Sequence, residues 1–236
     1  MQSDQVTKVN KAIVSSIGDT PLSILTLHQS KYYHLGTTNE LIYYFCENDD
    51  LKTELNMDQV VNSLVTGDDE AIEGIVLNAV VAGGSVLPKN SIVEYSIIEK
   101  RVILGAKTIL SNVHISSPCL SIPAGFLYHT IPIIHDSQTR YVTVAFHNTD
   151  DLKCEVDLVS SASLQYGGKL LDELYESSER YSTESVFSGS SSATLWTARI
   201  FTSHVDMNES FTETVTMLDN LLYQKKNVAH EDVTVY

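Results

Sequence analysis

The amino-acid sequence predicts a mainly β fold, in which a short left-handed parallel β-helix is flanked by α+β segments. Its 236 residues, 43% of them hydrophobic, are enough to bury a core. The stretch 104–108, Leu-Gly-Ala-Lys-Thr, has the aliphatic-Gly-x-x-Thr form of a hexapeptide repeat. Six such hexads would make two coils of about 18 residues, with each aliphatic side chain pointing into the coil. The aliphatic residues that recur every six positions are Val80, Val86, Ile92, Ile98, Leu104 and Leu110.

The stretch before residue 74 predicts a helix, two strands and a second helix. Val6, Val9 and Ile13 fall at helical spacing ahead of a Gly-Asp-Thr-Pro turn, which predicts an amphipathic helix at the amino terminus. Residues 22–27 and 31–35 have the composition of β-strands. Thr37 and Glu40 stand in the spacing of a capping box, so a helix is expected to begin directly after Thr37.

The β-helix itself is assigned to residues 74–125, followed by an α+β region over 126–225 and a flexible tail over 226–236. Residues 142–146 alternate as a half-buried strand does, and residues 170–175 suggest a short helix. The Ser-rich residues 188–192 indicate a loop, and Trp196 beyond it is expected in the core. Asn208 is expected to cap a last helix.

Composition argues against several classes of partner. With 15 basic and 30 acidic residues, the formal net charge is −15, which disfavours nucleic acid and membrane surfaces as partners. The amino terminus lacks a signal peptide and no apolar run is long enough to span a bilayer, so a cytoplasmic protein is expected. The three cysteines form no Cys-x-x-Cys pair, which indicates reduced, mostly buried thiols and predicts no metal site.

Three motifs are candidates for a functional role. Residues 34–40, His-Leu-Gly-Thr-Thr-Asn-Glu, lie at a strand-to-helix junction where backbone amides could hold an anion, although Gly36 could equally serve the turn and Thr37 only cap the helix. Arg199 could reach a sugar phosphate or form a structural salt bridge. His114 is the one histidine within the hexads that could act as the base of a hexapeptide acyltransferase, but no carboxylate partner is evident.

Three segments together resemble the fucose-1-phosphate guanylyltransferases, also called GDP-fucose pyrophosphorylases. These segments are residues 31–41, the hexads through residues 91–96, and residues 195–201. Their order and spacing extend the resemblance from about residue 6 to about residue 220, the carboxy-terminal portion of such an enzyme. Residues 1–73 would then be the end of a nucleotidyltransferase-like region.

The resemblance implies transfer from GTP to β-L-fucose 1-phosphate, giving GDP-L-fucose and pyrophosphate in fucose salvage, with Mg²⁺ on the phosphates. It makes GTP and fucose 1-phosphate the expected partners of the full-length enzyme and nominates five substrate-binding candidates. His34 stands where the wider sugar nucleotidyltransferase pattern has an acidic residue, so no metal-binding role is expected for it. The candidates are His34, Gly36, Thr37, Thr38 and Arg199.

The sequence also departs from that family. It contains no Gly-rich nucleotide-binding loop followed by a basic residue, so the catalytic residues are expected upstream and the isolated chain is expected to be inactive or nearly so. Other hypotheses are a non-enzymatic β-helix scaffold or regulatory module, the pyrophosphorylase-like region of a fucokinase, and the acyltransferase. Self-association through the β-helix is a further expectation.

Overall fold

The computed structural model describes residues 2–21, 23–67, 70–118, 120–177 and 181–223. Two compact units divide the chain, Met1–His34 and Leu35–Tyr236. Within the described ranges, none of the helices has the length and hydropathy required to cross a membrane. The helices are α1 (Gln2–Ile17), α2 (Thr38–Ile42), α3 (Asp49–Leu55), α4 (Leu171–Ser177), α5 (Thr183–Val186) and α6 (Met207–Tyr223), with a π-helical turn at Tyr43–Glu47 and a 3-10 turn at Leu158–Ser163.

The first unit contains α1, which confirms the predicted amino-terminal helix. Its apolar side chains Val6, Val9 and Ile13 are half or more exposed. The two predicted strands that follow it are wrong, because residues 23–35 form no strand. A strand is stable only when a ladder partner takes up its backbone groups, and composition alone does not supply that partner. Leu22 lies outside the described residues.

The second unit is built on a parallel β-solenoid of about four turns, which confirms the predicted β-helix architecture. Its strands form three sheets, with the orders β1-β3-β5-β8-β11-β12-β15, β2-β4-β6-β9 and β10-β7, and β13 pairs with β14 apart from them. The strands are β1 (Val60–Val61), β2 (Leu64–Thr66), β3 (Ile75–Leu77), β4 (Val80–Ala82), β5 (Ile92–Glu94), β6 (Ile97–Ile98), β7 (Val102–Leu104), β8 (Ile109–Ser111), β9 (His114–Ile115), β10 (Leu120–Ile122), β11 (Phe126–His135), β12 (Gln138–His147), β13 (Gln165–Tyr166), β14 (Lys169–Leu170) and β15 (Ser203–His204).

The coils are more numerous and less regular in length than the hexads predict. Parallel pairing begins at Val60, before residue 74, and successive coils are offset by 16, 17 or 18 residues, as in Val60↔Val76, Ile92↔Ile109 and Ile109↔Leu127. A strict period of six requires 18 residues per coil, so the predicted register drifts by about one residue each turn. Two coils were expected and about four are present.

This drift changes the direction of half the predicted inward side chains. Ile98, Leu104 and Leu110 lie in the solenoid core as expected. Val80 is instead exposed, and its neighbour Val81 is fully buried in its place. Ile92 points out of the coil, where it is buried by the α2 segment together with Ile42, Cys46, Ile75 and Ile109.

The carboxy-terminal part extends the first sheet and covers the solenoid. The predicted strand at 142–146 is confirmed within β12, which pairs with β11 as a ten-residue hairpin and with β15 on its other side. Helix α6 packs on this hairpin and places Phe211, Val215 and Leu218 in the core. The short helix expected at 170–175 is confirmed as α4.

Two predictions for this region are wrong. Helix α6 begins at Met207 and is capped by Asp206, whose carboxylate accepts the Glu209 N–H at 3.0 Å. The Asn208 side chain instead accepts the backbone N–H groups of Ser116 and Ser117, so it joins the helix to the last coil. Trp196 is 72% exposed rather than part of the core. Cys46 and Cys154 are free thiols, of which Cys154 is exposed, whereas Cys119 and the tail at 226–236 lie outside the described residues.

Candidate functional site

The predicted anion site at residues 36–40 forms a tight turn whose amide donors already have an acceptor. Thr37 caps α2 by accepting the Glu40 N–H at 3.2 Å, which confirms the capping box. The Glu40 carboxylate reaches back and accepts the Gly36 and Thr37 N–H groups, both at 2.9 Å. A phosphate at this turn would have to displace a carboxylate of the chain itself. The arrangement therefore has a structural explanation that needs no ligand.

The turn is anchored to two other segments by side-chain amides. Asn39 donates to the Asn148 carbonyl at 3.1 Å, and the Asn148 side chain donates to the Lys107 carbonyl at 2.8 Å. The Lys107 N–H in turn donates to Asn90 at 3.2 Å. The start of α2, the end of the β12 strand and two coil corners therefore meet at one place, where Lys107 is exposed.

The loop that carries Asn148 is stiffened by a partly buried carboxylate. Asp150 accepts the N–H groups of His147 at 2.7 Å and Gly167 at 3.0 Å. Burial raises the pKa of Asp150 above its usual value, and these backbone N–H donors offset only part of that effect. Gly125 permits the close packing, because a Cβ there would lie 2.6 Å from the His147 ring. The loop thus holds Asn148 in a fixed position against the turn.

The other predicted substrate-binding residues are Arg199, Thr38 and His34. Arg199 is exposed, and its backbone N–H donates to the Val186 carbonyl at 2.8 Å. No ion pair joins the Arg199 guanidinium to another residue in the described part of the chain. Thr38 is the first residue of α2, and His34 belongs to the first unit, where its ring lies 6.4 Å from that of Tyr32. Their role in binding substrate stays a prediction.

A polar cleft of about 500 Å³ lies between α3 and the first coils. Two lysines in its lining, Lys52 and Lys89, face three carboxylates, and Lys52 is already paired with Asp49 at 2.7 Å. This hydrogen bond lowers the pKa of Asp49. The excess of carboxylate makes the cleft a poor site for a dianionic phosphate. The lining residues are Cys46, Asp49, Lys52, Thr53, Asn56, Met57, Asp58, Gln59, Glu73, Ile75 and Lys89.

His114 has the carboxylate partner that the sequence did not reveal. Its Nε2 lies 3.0 Å from Glu99 Oε1 on the outer face of the solenoid, with both side chains partly exposed. A histidine and carboxylate at this distance can form a general base, but a catalytic assignment also needs a pocket that seats a nucleophile and substrate. The pair lies outside the cleft described above. His114 therefore remains without a demonstrated chemical role.

The described residues also offer no metal centre, since they contain no group of three or more His, Cys, Asp or Glu side chains able to hold an ion. The described residues therefore contain no set of protein ligands for the Mg²⁺ that the resemblance implies. Carboxylates are the side chains expected at such a site. Among those described above, Glu40 accepts the amides of the turn, Asp49 pairs with Lys52, and Glu99 pairs with His114.

Comparison with known proteins decides the family. A model of the fucose pyrophosphorylase domain matches residues 1–206. The chain belongs to the fucose pyrophosphorylase domain family. Fucose-1-phosphate guanylyltransferase of Mus musculus is 28% identical over 221 residues, which are 92% of this chain and 37% of the relative. The protein of the same name from Homo sapiens is 27% identical over 222 residues, 92% of this chain and 36% of the relative. No solved structure matches significantly.

The chain thus spans little more than a third of the length of the curated relatives it matches. The family match covers the capped turn at Gly36 and the whole solenoid. Sequence reasoning missed the Asn39–Asn148–Lys107 connection. Its amides are separated by more than 100 residues, and only the hairpin after the solenoid brings Asn148 back to the turn.

Proposed function

We propose that this chain is the β-helix-bearing part of a fucose-1-phosphate guanylyltransferase. In the proposed reaction, the phosphate of β-L-fucose 1-phosphate attacks the α-phosphorus of GTP, the bond to the β-phosphate breaks, and GDP-L-fucose and pyrophosphate leave. The observation that carries the proposal is the match of a fucose pyrophosphorylase domain to residues 1–206. The names of the mouse and human relatives support the same chemistry.

The proposed division of labour assigns nucleotide binding to residues outside this chain. The sequence has no Gly-rich phosphate loop, and the amides of the candidate turn at Gly36 and Thr37 already bind the Glu40 carboxylate. The acidic net charge also disfavours GTP binding at an average surface site. We therefore expect the isolated chain to show little or no guanylyltransferase activity. Mg²⁺ would neutralise phosphate charge during transfer, held by the phosphates and by ligands outside the described residues.

In this proposal the solenoid and its anchored turn support the catalytic part. The Asn39–Asn148–Lys107 connection fixes the start of α2 against two coil corners of the β-helix. Arg199 is the candidate for direct substrate contact, because its guanidinium is exposed and a phosphate is the kind of partner it prefers.

The test is a chimaera in which this chain replaces the matching third of the mouse relative. Production of GDP-fucose from GTP, Mg²⁺ and β-L-fucose 1-phosphate is measured for the chimaera, for the isolated chain, and for the relative without its matching third. We expect activity in the chimaera and essentially none in the two parts. Activity of the isolated chain would overturn the assignment of catalysis elsewhere, and a folded but inactive chimaera would refute the proposed function.

The role of single residues is tested in the same chimaera. Arg199→Met should raise KM for fucose 1-phosphate by about tenfold if the guanidinium contacts phosphate, since a charge-assisted hydrogen bond contributes about 1.5 kcal/mol or more. Asn39→Ala should lower kcat with little change in KM, because it loosens the anchored turn without touching substrate. Lys153→Met, at another exposed basic residue, is the matched control and should leave both constants unchanged.

A non-enzymatic scaffold is the second candidate function, and the Glu40-capped turn is the observation that favours it. In that case the amides at Gly36 and Thr37 serve only the fold. The two candidates differ in the chimaera, because a scaffold would restore folding of the mouse protein without restoring GDP-fucose production.

A further inference from the structure

The outer face of the sheet β2-β4-β6-β9 exposes a straight row of aliphatic side chains. Leu64, Val80 and Ile97 occupy paired positions on successive strands. They are 57%, 37% and 50% exposed. The residues on both sides of Val80 and Ile97 are buried, and Val65 beside Leu64 packs partly against the core. The row continues to His114 on the next strand. A contiguous apolar patch on an exposed sheet face can mark a protein–protein contact.

Tyr95 adds an exposed aromatic ring beside this row. Coil corners in the same column are made by Asn62, Asn78 and Asn112, all with φ between 47° and 52°, a left-handed conformation that asparagine tolerates. Tyr95 adopts the same conformation, with φ of 48°, and is 62% exposed. A bulky residue is unfavourable there. The ring is mostly exposed, so burial does not compensate for this backbone strain, which favours a contact made outside the chain.

The charge of this face identifies what can cover it. The four strands carry no Asp, Glu, Lys or Arg, and Glu99, which directly follows β6, is paired with His114 of the same chain. Because the protein carries a net charge of −15, most of its surface repels a second copy. This neutral face is where two copies can approach without setting carboxylates against each other.

Geometry favours the same occupant. The three aliphatic residues lie one strand apart. A two-fold axis through Val80 therefore places Leu64 of each copy against Ile97 of the other copy. Four strands span about 19 Å, and with both corners such a face hides about 500 Å² per copy, or about 1,000 Å² in all. That total is near the lower limit for a specific interface. It predicts a weak, reversible association.

We propose that two copies of this chain form a two-fold dimer through the outer face of β2-β4-β6-β9, with Leu64, Val80 and Ile97 at the centre and Tyr95 at the edge. We expect a weak dimer, with a dissociation constant on the order of 10–100 µM. The inference is independent of the proposed guanylyltransferase activity, because molecular mass alone reports on it.

Sedimentation velocity of the full chain, from about 1 to 300 µM, tests the proposal. The decisive variant is Ile97→Thr, and its matched control is Ile103→Thr. Ile103 is also an isoleucine on the solenoid and is 47% exposed, but it lies on β7, in a different sheet. We expect Ile97→Thr to weaken dimerisation by about tenfold or more and Ile103→Thr to change it by less than about twofold.

Tyr95→Asn keeps the test informative if a core-adjacent variant unfolds. Asparagine is the residue found at the other three corners of the column, so this variant should keep or raise the melting temperature while weakening the dimer by about tenfold. A purely monomeric chain at about 300 µM would overturn the proposal. Equal effects of Ile97→Thr and Ile103→Thr on the dissociation constant would also overturn it. A third contrary result would be loss of the dimer in Ile13→Ser, on α1, while Ile97→Thr still dimerises like the wild type.

Discussion

Removal of one buried hydroxyl, in Ser210→Ala, should destabilise the second unit far more than its size suggests. Ser210 is fully buried on α6, and its Oγ accepts the Thr143 backbone N–H at 2.7 Å. It also donates to the Thr143 hydroxyl at 3.0 Å, which keeps a second partner in Thr130. Alanine removes the acceptor that Ser210 provides for that N–H and leaves the donor buried. An orphaned buried donor costs about 1–3 kcal/mol.

The expected net loss is about 1.5 kcal/mol, because alanine recovers up to about 0.5 kcal/mol of helix propensity over serine. For a unit of this size, that loss lowers the melting temperature by about 3–6 °C. Unfolding free energy is measured by urea titration followed by far-UV circular dichroism and tryptophan fluorescence. A change in the midpoint without a change in the m-value would show that the folded state lost the interaction.

Thr216→Ala is the matched control, since Thr216 is exposed on the same helix and its hydroxyl donates only to the Thr212 carbonyl one turn away. It should be neutral or slightly stabilising, because alanine favours the helix and no buried group loses a partner. Equal stability changes in Ser210→Ala and Thr216→Ala would refute the argument, since the loss would then reflect helix composition rather than an unsatisfied N–H.

Three other changes have defined outcomes. Gly105→Ala should destabilise by about 3 kcal/mol or more, because its Cβ would lie 2.5 Å from backbone atoms of Ala124 on the next coil, and a denaturation midpoint like that of the wild type would contradict this. Because the pKa of Asp150 is raised in the folded state, its contribution to stability is complete below pH 3.8 and is lost as the pH rises through the raised pKa. Asp150→Asn should therefore flatten the dependence of the unfolding free energy on pH above pH 3.8. An unchanged slope in urea titrations at several pH values would count against this prediction. Burial raises the pKa of Cys46 to about 11. In the native Cys119→Ser variant at about pH 8, a thiol reagent should therefore modify the exposed Cys154 and react with Cys46 only after denaturation. Equal rates of modification of the two thiols in the native protein would disprove the burial argument.

The solenoid was predictable from sequence because its core demands aliphatic residues at a nearly constant spacing. Ile98, Leu104 and Leu110 fall in the core as the hexads predict. The direction of Val80 and Ile92 was not predictable from that period, because a coil of 17 residues shifts the alternation of inward and outward side chains. Outward aliphatics such as Ile92, covered by the α2 segment, look the same in sequence as inward ones.

Caps and turns were predictable only where the partner is local. Thr37 and Glu40 are three residues apart, so their capping box could be inferred from spacing. Asn208 looked equally suited to cap α6, but its side chain binds Ser116 and Ser117, which are more than 90 residues away. The exposure of Trp196 has the same origin, since residue type gives an average burial and the fold decides the particular case.

The asparagines would have given the coil length more accurately than the aliphatic residues. Asn62, Asn78 and Asn112 take left-handed corner conformations, and Tyr95 fills the one remaining position of the same column. Each coil needs a residue that tolerates positive φ at this corner, whereas either face of a strand can carry an aliphatic side chain. Their spacing therefore reports the chain length of a coil directly, while the hexads report it only on average. The same spacing identifies Tyr95 as a corner residue in the sequence, and backbone geometry does not explain why a tyrosine stands there.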